Sequence, residues 1–290
     1  METNKASQSA RLVAISRAAH LYVDGNPKIL EDDFALMFIG KEFEGLFKSN
    51  KEMFQAPQAK VVRSLTLCRS RIAEDLLIKS LEQGIQQYVI LGSGLDSFAF
   101  RRPDLKNKLR IFEVDHPASL QFKIDLLEKE NISVPDNLSL VPVDFESQKL
   151  TTELEKNNFV NNIPTFYSWL GVTQFISEDS VFDTLKFVST SSPGSQIVFQ
   201  YCLPDETLDS EELQQRTWAR QKGEEIGEPW KSTFLPELLK SKLNEFGFSK
   251  IEDIDKKKAE KYLQQYFVNR TDDLELTFGK GGTALMKAVV

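Results

Sequence analysis

The chain has 290 residues, 41% of them hydrophobic and 27% charged, an ordinary globular balance with enough residues for one large α/β domain and an accessory lid, or for two small domains. Its formal net charge of −7 argues against a nucleic-acid backbone as the main partner, because phosphate binding needs a basic face. There is no stretch of about 20 apolar residues, and the polar start Met1–Ala10 lacks the apolar core of a signal peptide, so we expect a cytoplasmic protein without a membrane span.

The first part of the chain has the periodicity of helices. Residues 7–55 are predicted to be largely helical, with Val13, Arg17 and Leu21 among the residues at helical spacing. A second helical stretch is predicted from Pro57 to Gly84, where the glycine is a plausible C-terminal stop.

From Gln87 the pattern changes to short apolar runs separated by helical segments. The predicted strands cover residues 88–91, 109–114, 138–143, 165–170 and 196–201. The predicted helices between them cover Ala118–Lys129, Leu150–Asn157 and Asp179–Ser189. Single short strands alternating with helices are typical of a parallel sheet covered on both faces.

After Tyr201 the alternation stops. Residues 203–232 are rich in charge and are interpreted as an insertion or lid. A helix over Phe234–Phe246 and a sixth strand over Ser249–Ile254 follow, and a last strand over 283–289 enters through a glycine turn, so it could run antiparallel to its neighbour.

These elements predict an α/β fold, a doubly wound and mostly parallel seven-stranded sheet of the Rossmann-like type, with N-terminal helices and a lid insertion. The whole chain, 1–290, is expected to form one domain. Within it we expect a helical cap (1–84), a cofactor-binding core (85–202), a lid insertion (203–235) and a C-terminal part of the sheet (236–290).

Two cysteines and two histidines limit the chemistry. Cys68 and Cys202 match no metal or redox spacing and are expected to be buried thiols in a reducing compartment. His20 and His116 are too few for a histidine-based metal site, so we expect no metal.

Three motifs lie at the ends of predicted strands. The first strand ends in Gly92-Ser93-Gly94, where glycine lets the backbone approach a ligand and the following helix start offers free N–H groups. Asp115 closes the second strand, where an acid accepts hydrogen bonds from ribose hydroxyls in nucleoside-binding sheets. Asp144 and Phe145 follow the third strand, where a carboxylate and an aromatic ring suit an adenine. Taken singly, each motif also occurs in structural turns, helix caps or loops.

Together these motifs resemble the leucine carboxyl methyltransferase-like family of S-adenosylmethionine enzymes, over roughly residues 10–205. The matching segments are Leu91–Arg101, Phe112–Pro117 with Lys123 after it, Val141–Phe145, and an upstream arginine-bearing helix at Arg69–Asp75. The resemblance implies a class I methyltransferase fold and S-adenosyl-L-methionine as cofactor.

The resemblance also implies roles for single residues. An arginine of the upstream helix would hold the carboxylate of the cofactor, with Arg69 the better match and Arg71 left open. Gly92 and Gly94 would contact the methionine end and Asp115 the ribose. Asp144 and Phe145 would contact the adenine.

One departure from the family concerns the segment after the fourth strand. Many members have a glutamate there, whereas this chain has Leu170, so the substrate class is less well defined than the cofactor. We expect O-methylation of a carboxylate or hydroxyl on a small molecule. A carboxylate is already ionised and needs no base, whereas a hydroxyl needs one, for which the candidates are His20, His116 and Tyr167.

The aromatic residues of the lid segment, Trp218, Trp230 and Phe234, either line the acceptor pocket or pin the lid to the core. Two other functions stay open. A nicotinamide-dependent (NAD(P)) oxidoreductase shares the glycine turn and the second-strand acid, but Ser97 replaces its third glycine and a long helical segment precedes the first strand. A non-catalytic relative that binds the cofactor is the other alternative.

Overall fold

The computed structural model describes residues 7–290, so most of the polar start Met1–Ala10 that we interpreted as lacking a signal peptide lies outside the described residues. The helices are α1 (Gln8–Val23), α2 (Asp33–Ile39), α3 (Glu42–Ser49), α4 (Lys51–Phe54), α5 (Pro57–Leu81), α6 (Phe98–Arg101), α7 (Pro117–Lys129), α8 (Leu150–Lys156), α9 (Glu178–Ser189), α10 (Ser210–Glu225), α11 (Pro236–Glu245) and α12 (Lys256–Phe267). The strands are β1 (Gln87–Leu91), β2 (Arg110–Asp115), β3 (Leu138–Pro142), β4 (Thr165–Trp169), β5 (Gln196–Cys202), β6 (Ser249–Ile254) and β7 (Thr283–Val289). Short 3₁₀ turns occur at Pro103–Leu105, Thr173–Phe175 and Asp205–Thr207.

The seven strands form one sheet in the order β3-β2-β1-β4-β5-β7-β6. The first five strands of this order are parallel, and β7 runs antiparallel to both β5 and β6. The mostly parallel seven-stranded sheet and the antiparallel last strand are therefore confirmed. The strand order reverses between β1 and β4, and a crevice at the carboxyl ends of the strands is the place where open α/β sheets bind ligands.

Both faces of the central strands β1, β4 and β5 are buried, which explains why these strands are mostly apolar. In β1, Tyr88 and Ile90 point into a core that includes residues of α1 to α5 and α12. Val89 and Leu91 point to the opposite face, into a core shared with α8, α9 and α11. The N-terminal helices thus cover one face of the sheet and sit over the ends of β1 and β4.

Local sequence explains where several helices begin. Ser7 caps α1 by accepting a hydrogen bond from the Ala10 amide (3.1 Å). Proline opens α5 and α7, where its missing N–H costs nothing. Asp209 and Glu212 form a capping box at the start of α10.

Two helices, α10 and α12, were not predicted. Few of their residues are buried: these are Arg216 and Gly223 in α10, and Ala259 and Leu263 in α12. α10 has no broad apolar stripe and therefore leaves little periodic signal. α12 does have an apolar face at helical spacing, which was not recognised from the sequence; it is formed by Ala259, Tyr262, Leu263, Tyr266 and Phe267. The helix predicted from Phe234 begins at Pro236 instead, because Phe234 is buried against Phe182 (ring centroids 5.6 Å apart) before the helix starts. No helix within residues 7–290 combines the length and the apolar character needed to cross a membrane.

Candidate functional site

A cavity opens where the carboxyl ends of β1 to β4 meet the N-terminal helices. Predicted residues that line it are Arg69, Gly92, Gly94, Asp115, Asp144, Phe145, His116 and Leu170. Lining residues that the sequence did not single out include Arg17, Glu74, Tyr88, Ser168, Glu228 and Lys231. The fold therefore brings the strand-end motifs together in one place.

The glycine turn after β1 is tightly enclosed. Gly92 has a φ of +67° and Gly94 a φ of +52°, a conformation that favours glycine. A Cβ at Gly92 would lie 2.2 Å from Val172, and one at Gly94 would lie 2.8 Å from the Cβ of Ala10. The turn is thus pressed between the segment after β4 and the first turn of α1, and only the absence of side chains leaves room beside it.

Asp115 fixes this turn to the neighbouring strand. Its carboxylate accepts hydrogen bonds from the backbone amides of Gly94 (2.5 Å) and His116 (2.6 Å). Burial raises its pKa above the ordinary value, while these amide bonds oppose the rise. Because a carboxylate has about four lone-pair sites, two remain for ligand hydroxyl groups in the cavity.

Asp144 and Phe145 form the next part of the rim. The Asp144 carboxylate accepts hydrogen bonds from the Glu146 amide (3.0 Å) and the Ser147 hydroxyl (2.8 Å), so it also stabilises its own turn. The ring of Phe145 lies 6.0 Å from that of Trp169, tilted by 35°. A flat, partly apolar surface results at the end of β3.

Arg69 and Arg71 point in different directions because residues two apart on a helix do not share a face. Arg69 lines the cavity, and its Nη1 donates to Oε1 of Gln200 (2.8 Å). Burial lowers its pKa to about 10, helped by the nearby charge of Arg17, and the side chain stays cationic at neutral pH. Arg71 is absent from the cavity wall and pairs with Asp75 (2.7 Å) beside the ring of Tyr266.

Arg17 is a cavity residue that the sequence analysis placed only in a helical pattern. Its guanidinium donates to the carbonyl of Leu95 and lies 3.2 Å from Asp32 and 3.8 Å from Asp96. The available signal was its position on the apolar stripe of α1, where a charged side chain is unusual unless it is paired inside the fold.

Of the three candidate bases, only His116 lines the cavity. His20 is buried in the cap, where its Nδ1 lies 2.8 Å from Asp24 and its Nε2 accepts from the Ile29 amide, and burial lowers its pKa. Tyr167 points to the opposite face of the sheet and shares a hydrogen bond with Ser191 (2.8 Å). His116 uses its Nδ1 to accept from the Ala118 amide (3.2 Å), as the cap of α7.

Two short segments close the cavity opposite the strand ends, and we call residues 7–10 and 226–232 together the cover. The two segments meet where the Gln8 amide donates to Glu228 (2.9 Å). The second segment is held to the sheet by the amide of Lys231, which donates to the carbonyl of Gln174 (2.6 Å), and by an ion pair between Lys231 and Glu146 (2.9 Å). Its polar groups Glu228 and Lys231 face the cavity together with Pro229.

The aromatic residues predicted near the lid have different positions. Trp230 packs over Arg216 (5.0 Å) and edge-on to Phe175 (6.4 Å), and Phe234 is 1% exposed. Trp218 is 43% exposed. None of the three lines the cavity, so Trp230 and Phe234 pin the segment to the core.

The described part of the chain contains neither a metal-ligand cluster nor a disulfide. Residues 7–290 contain no cluster of three or more histidine, cysteine or acidic side chains arranged to hold a metal ion. Cys68 and Cys202 are buried and unpaired, and burial raises the pKa of Cys68 to about 12 and that of Cys202 to about 11. Neither thiol is a nucleophile at neutral pH.

The family model described as leucine carboxyl methyltransferase matches residues 10–189. The chain is 34% identical to a Bacillus subtilis protein provisionally named S-adenosyl-L-methionine-dependent methyltransferase YktD, over 94% of this chain and 95% of that protein. A Mycobacterium marinum protein with the same provisional activity in its name is 28% identical over 73% of this chain and 72% of its own length.

Two solved structures share the fold across 99% of this chain. One is from Thermobifida fusca and is provisionally named a methyltransferase, with 15% identity, 96% of its chain covered and a TM-score of 0.58. The other is a DUF574 family protein from Streptomyces avermitilis, with 12% identity, 98% of its chain covered and a TM-score of 0.61.

Proposed function

Because the chain belongs to the leucine carboxyl methyltransferase family and is an S-adenosylmethionine-dependent methyltransferase, we propose that it transfers the methyl group to an oxygen atom of a small molecule, either a carboxylate or a hydroxyl. The observation that carries this proposal is the convergence on one cavity of Arg69 from the middle of α5, Asp115 at the end of β2 and Asp144 just after β3. The net charge of −7 supports a small-molecule acceptor over a nucleic acid.

The residues of the cavity suit the chemical groups of the cofactor. We assign Gly92 and Gly94 to the methionine end, since the turn has room only where no Cβ stands. The Ser93 hydroxyl beside them is buried without a hydrogen-bond partner among residues 7–290, so it supplies a further polar contact. We assign Arg69 to the carboxylate of the amino-acid part and leave Arg71 outside the site.

The nucleoside part takes the remaining strand ends. Asp115 keeps lone pairs for the ribose hydroxyls after binding two backbone amides. We assign Asp144 and Phe145 to the adenine, with the carboxylate toward the amino group and the ring beside the base.

When bound, the cofactor supplies a methyl group on a positively charged sulfur, which the acceptor oxygen takes with its lone pair while the carbon–sulfur bond breaks. The residues of this chain have to align the acceptor and exclude water. The cover supports both tasks because it closes the cavity from the side opposite the sheet.

Acceptor ionisation distinguishes the two forms of the proposal. A carboxylate acceptor is ionised at neutral pH and requires no proton transfer. A hydroxyl acceptor requires a base, for which the cavity offers His116 once its Nδ1 is released from capping α7, and Glu228 on the cover. Both groups already accept hydrogen bonds from backbone amides, which favours an acceptor that needs no base.

A direct test measures ligand binding and then turnover. Calorimetry should show binding of S-adenosylhomocysteine and no binding of NADH, and the methyl label of S-adenosylmethionine should move to oxygen acceptors in a panel of small carboxylic acids and alcohols. Label found only on nitrogen acceptors or on nucleic acid would contradict the proposal. Binding without turnover across the whole panel would favour a non-catalytic relative, and binding of NADH alone would favour an oxidoreductase.

We also propose how the chain is organised and where it acts. Residues 1–84 would form the helical cap, 85–202 the cofactor-binding core, 203–235 the lid and 236–290 the rest of the sheet, all in one domain. The two unpaired cysteines agree with a reducing, cytoplasmic setting.

A further inference from the structure

Gln200 is a polar side chain in the middle of a buried strand. It lies in β5 between Phe199 and Tyr201 and is 2% exposed. A buried amide costs free energy unless it is hydrogen-bonded, so its presence calls for a specific partner. That partner is Arg69, whose Nη1 donates to Oε1 of Gln200 at 2.8 Å.

Arg69 differs from several other buried cations, in the helical cap and in the adjacent core, in having a neutral partner. Within residues 7–290, Arg63 pairs with Asp24 and Arg101 with Glu74, and Lys123 pairs with Glu113. Over the same residues no carboxylate lies within 4.0 Å of the Arg69 guanidinium. An amide oxygen therefore orients this guanidinium without neutralising its charge.

Gly171 leaves the space that the guanidinium occupies. It has a φ of +73°, and a Cβ there would lie 2.6 Å from Nη1 of Arg69 and 2.8 Å from Nη2. Its neighbour Leu170 is apolar, so no acid at that position competes for the charge. Three segments, α5, β5 and the turn after β4, thus define the position of one cation.

We propose that Gln200 is a positioning residue that holds the Arg69 guanidinium, uncompensated, toward the carboxylate of the methyl donor, with Gly171 providing the necessary room. The inference rests on the proposed function, because it takes the cavity to be the cofactor site. The affinity of Arg69 for the amino-acid part of the cofactor then depends on Gln200, a residue that does not itself line the cavity.

The test compares two ligands that differ only at the amino-acid end. S-adenosylhomocysteine carries the carboxylate, whereas 5′-methylthioadenosine keeps the nucleoside thioether and lacks it. Gln200→Leu should weaken binding of the first ligand on the order of 10-fold, which is the effect of one hydrogen bond to a charged group. Binding of the second ligand, measured by the same calorimetry, should change less than about twofold.

Two further variants separate positioning from general support. Gln196→Leu removes another buried glutamine of β5, bonded to Gln83 (3.0 Å) away from the cavity, and should leave both affinities unchanged. In an Arg69→Met background, Gln200→Leu should have no further effect on binding of S-adenosylhomocysteine. Equal weakening of both ligands by Gln200→Leu, or no weakening of either, would overturn the inference.

If the leucine variant fails to fold, Gln200→Glu provides a second test, because its carboxylate would neutralise Arg69 and selectively weaken S-adenosylhomocysteine. A wild-type protein that binds neither ligand would overturn the proposed function and the inference with it. By contrast, if the wild-type protein binds both ligands and the Gln200→Leu variant binds both as tightly, the inference is overturned and the proposed function stands.

Discussion

The two walls of the cavity are built in different ways. On the strand-end wall, Asp115 ties the glycine turn to β2 through backbone amides, and strands on both sides fix its position. On the cover, residues 7–10 and 226–232 belong to no strand and are held by contacts with residues distant in the chain, such as Gln8 to Glu228, Lys231 to Glu146 and Trp230 on Arg216. A site that grips a constant cofactor on the first wall can admit and release a variable acceptor past the second.

This contrast is tested most severely at Asp115. Asp115→Ala removes the acceptor of two backbone amides and the proposed ribose contact, so the affinity for S-adenosylhomocysteine should fall on the order of 100-fold in calorimetry. Asp136→Ala is the matched control, since Asp136 forms only an exposed ion pair with Lys106. Unchanged affinity in the Asp115 variant would remove the nucleoside site from this wall.

The anchoring of the cover is tested at Arg216. This buried guanidinium donates to the carbonyls of Leu203, Gly281 and Gly282 and packs on Trp230. Arg216→Met removes the donor to the buried carbonyls of Leu203 and Gly281, while Gly282 still accepts from the Leu203 amide, so the free energy of unfolding in urea should fall by about 2–3 kcal/mol.

For the acceptor, KM should rise in the Arg216 variant more than the dissociation constant of the cofactor. Arg220→Met, which removes a half-exposed pair with Asp205, should cost less than about 1 kcal/mol. A cofactor affinity that falls in parallel with the acceptor affinity would show that the two walls are not separable.

The C-terminal end of α1, which is capped by Asp24, allows a test in which the stability of the helical cap depends on pH. Burial alone would raise the pKa of Asp24, but hydrogen bonds from His20 and Arg63 lower it to about 2, below its ordinary 3.8. Because the folded pKa is the lower one, the stabilisation is complete above the unfolded value and is lost as pH falls from about 4 to about 2.

Asp24→Asn should therefore reduce the free energy of unfolding by about 2 kcal/mol at pH 7, and this difference should shrink as urea titrations are repeated toward pH 3. Asp273→Asn, at an exposed pair with Lys60, serves as the control and should change little at either pH. A difference independent of pH would mean that the charge of Asp24 does not stabilise the cap.

The smallest effect is expected at the ion pair of the cover itself. The Lys231 and Glu146 side chains are 40% and 35% exposed, so Lys231→Met should change the free energy of unfolding by less than about 1 kcal/mol. Its effect should appear as a modest rise in acceptor KM that wild-type protein reproduces at high salt, because salt screens exposed pairs. A large loss of cofactor binding would show that Lys231 contributes to the cofactor site, which contradicts its assignment to the cover alone.

The sequence predicted the strand-end wall well because each of its residues follows directly from a local pattern. A strand that ends in a glycine turn, or in an acid, places these groups at the same edge whatever the rest of the chain does. Gly92, Gly94, Asp115, Asp144 and Phe145 all lie on the cavity, as their positions at strand ends require.

The cover and the cap could not be predicted in the same way. Glu228 and Lys231 lie on a segment without periodic signal, and their position depends on contacts with residues far away in the chain. The preference for Arg69 over Arg71 likewise depended on which face of α5 meets the sheet.

By itself, the sequence determined the succession of the seven strands along the chain, the apolar character of the central strands, and the groups that stand at the strand ends. Only the tertiary structure decided which arginine enters the cavity, which of His20, His116 and Tyr167 reaches it, and what closes it. The reason is that periodicity and turn residues act over a few neighbours, whereas the partner of a buried charge or the lining of a cavity is set by packing between elements distant in sequence.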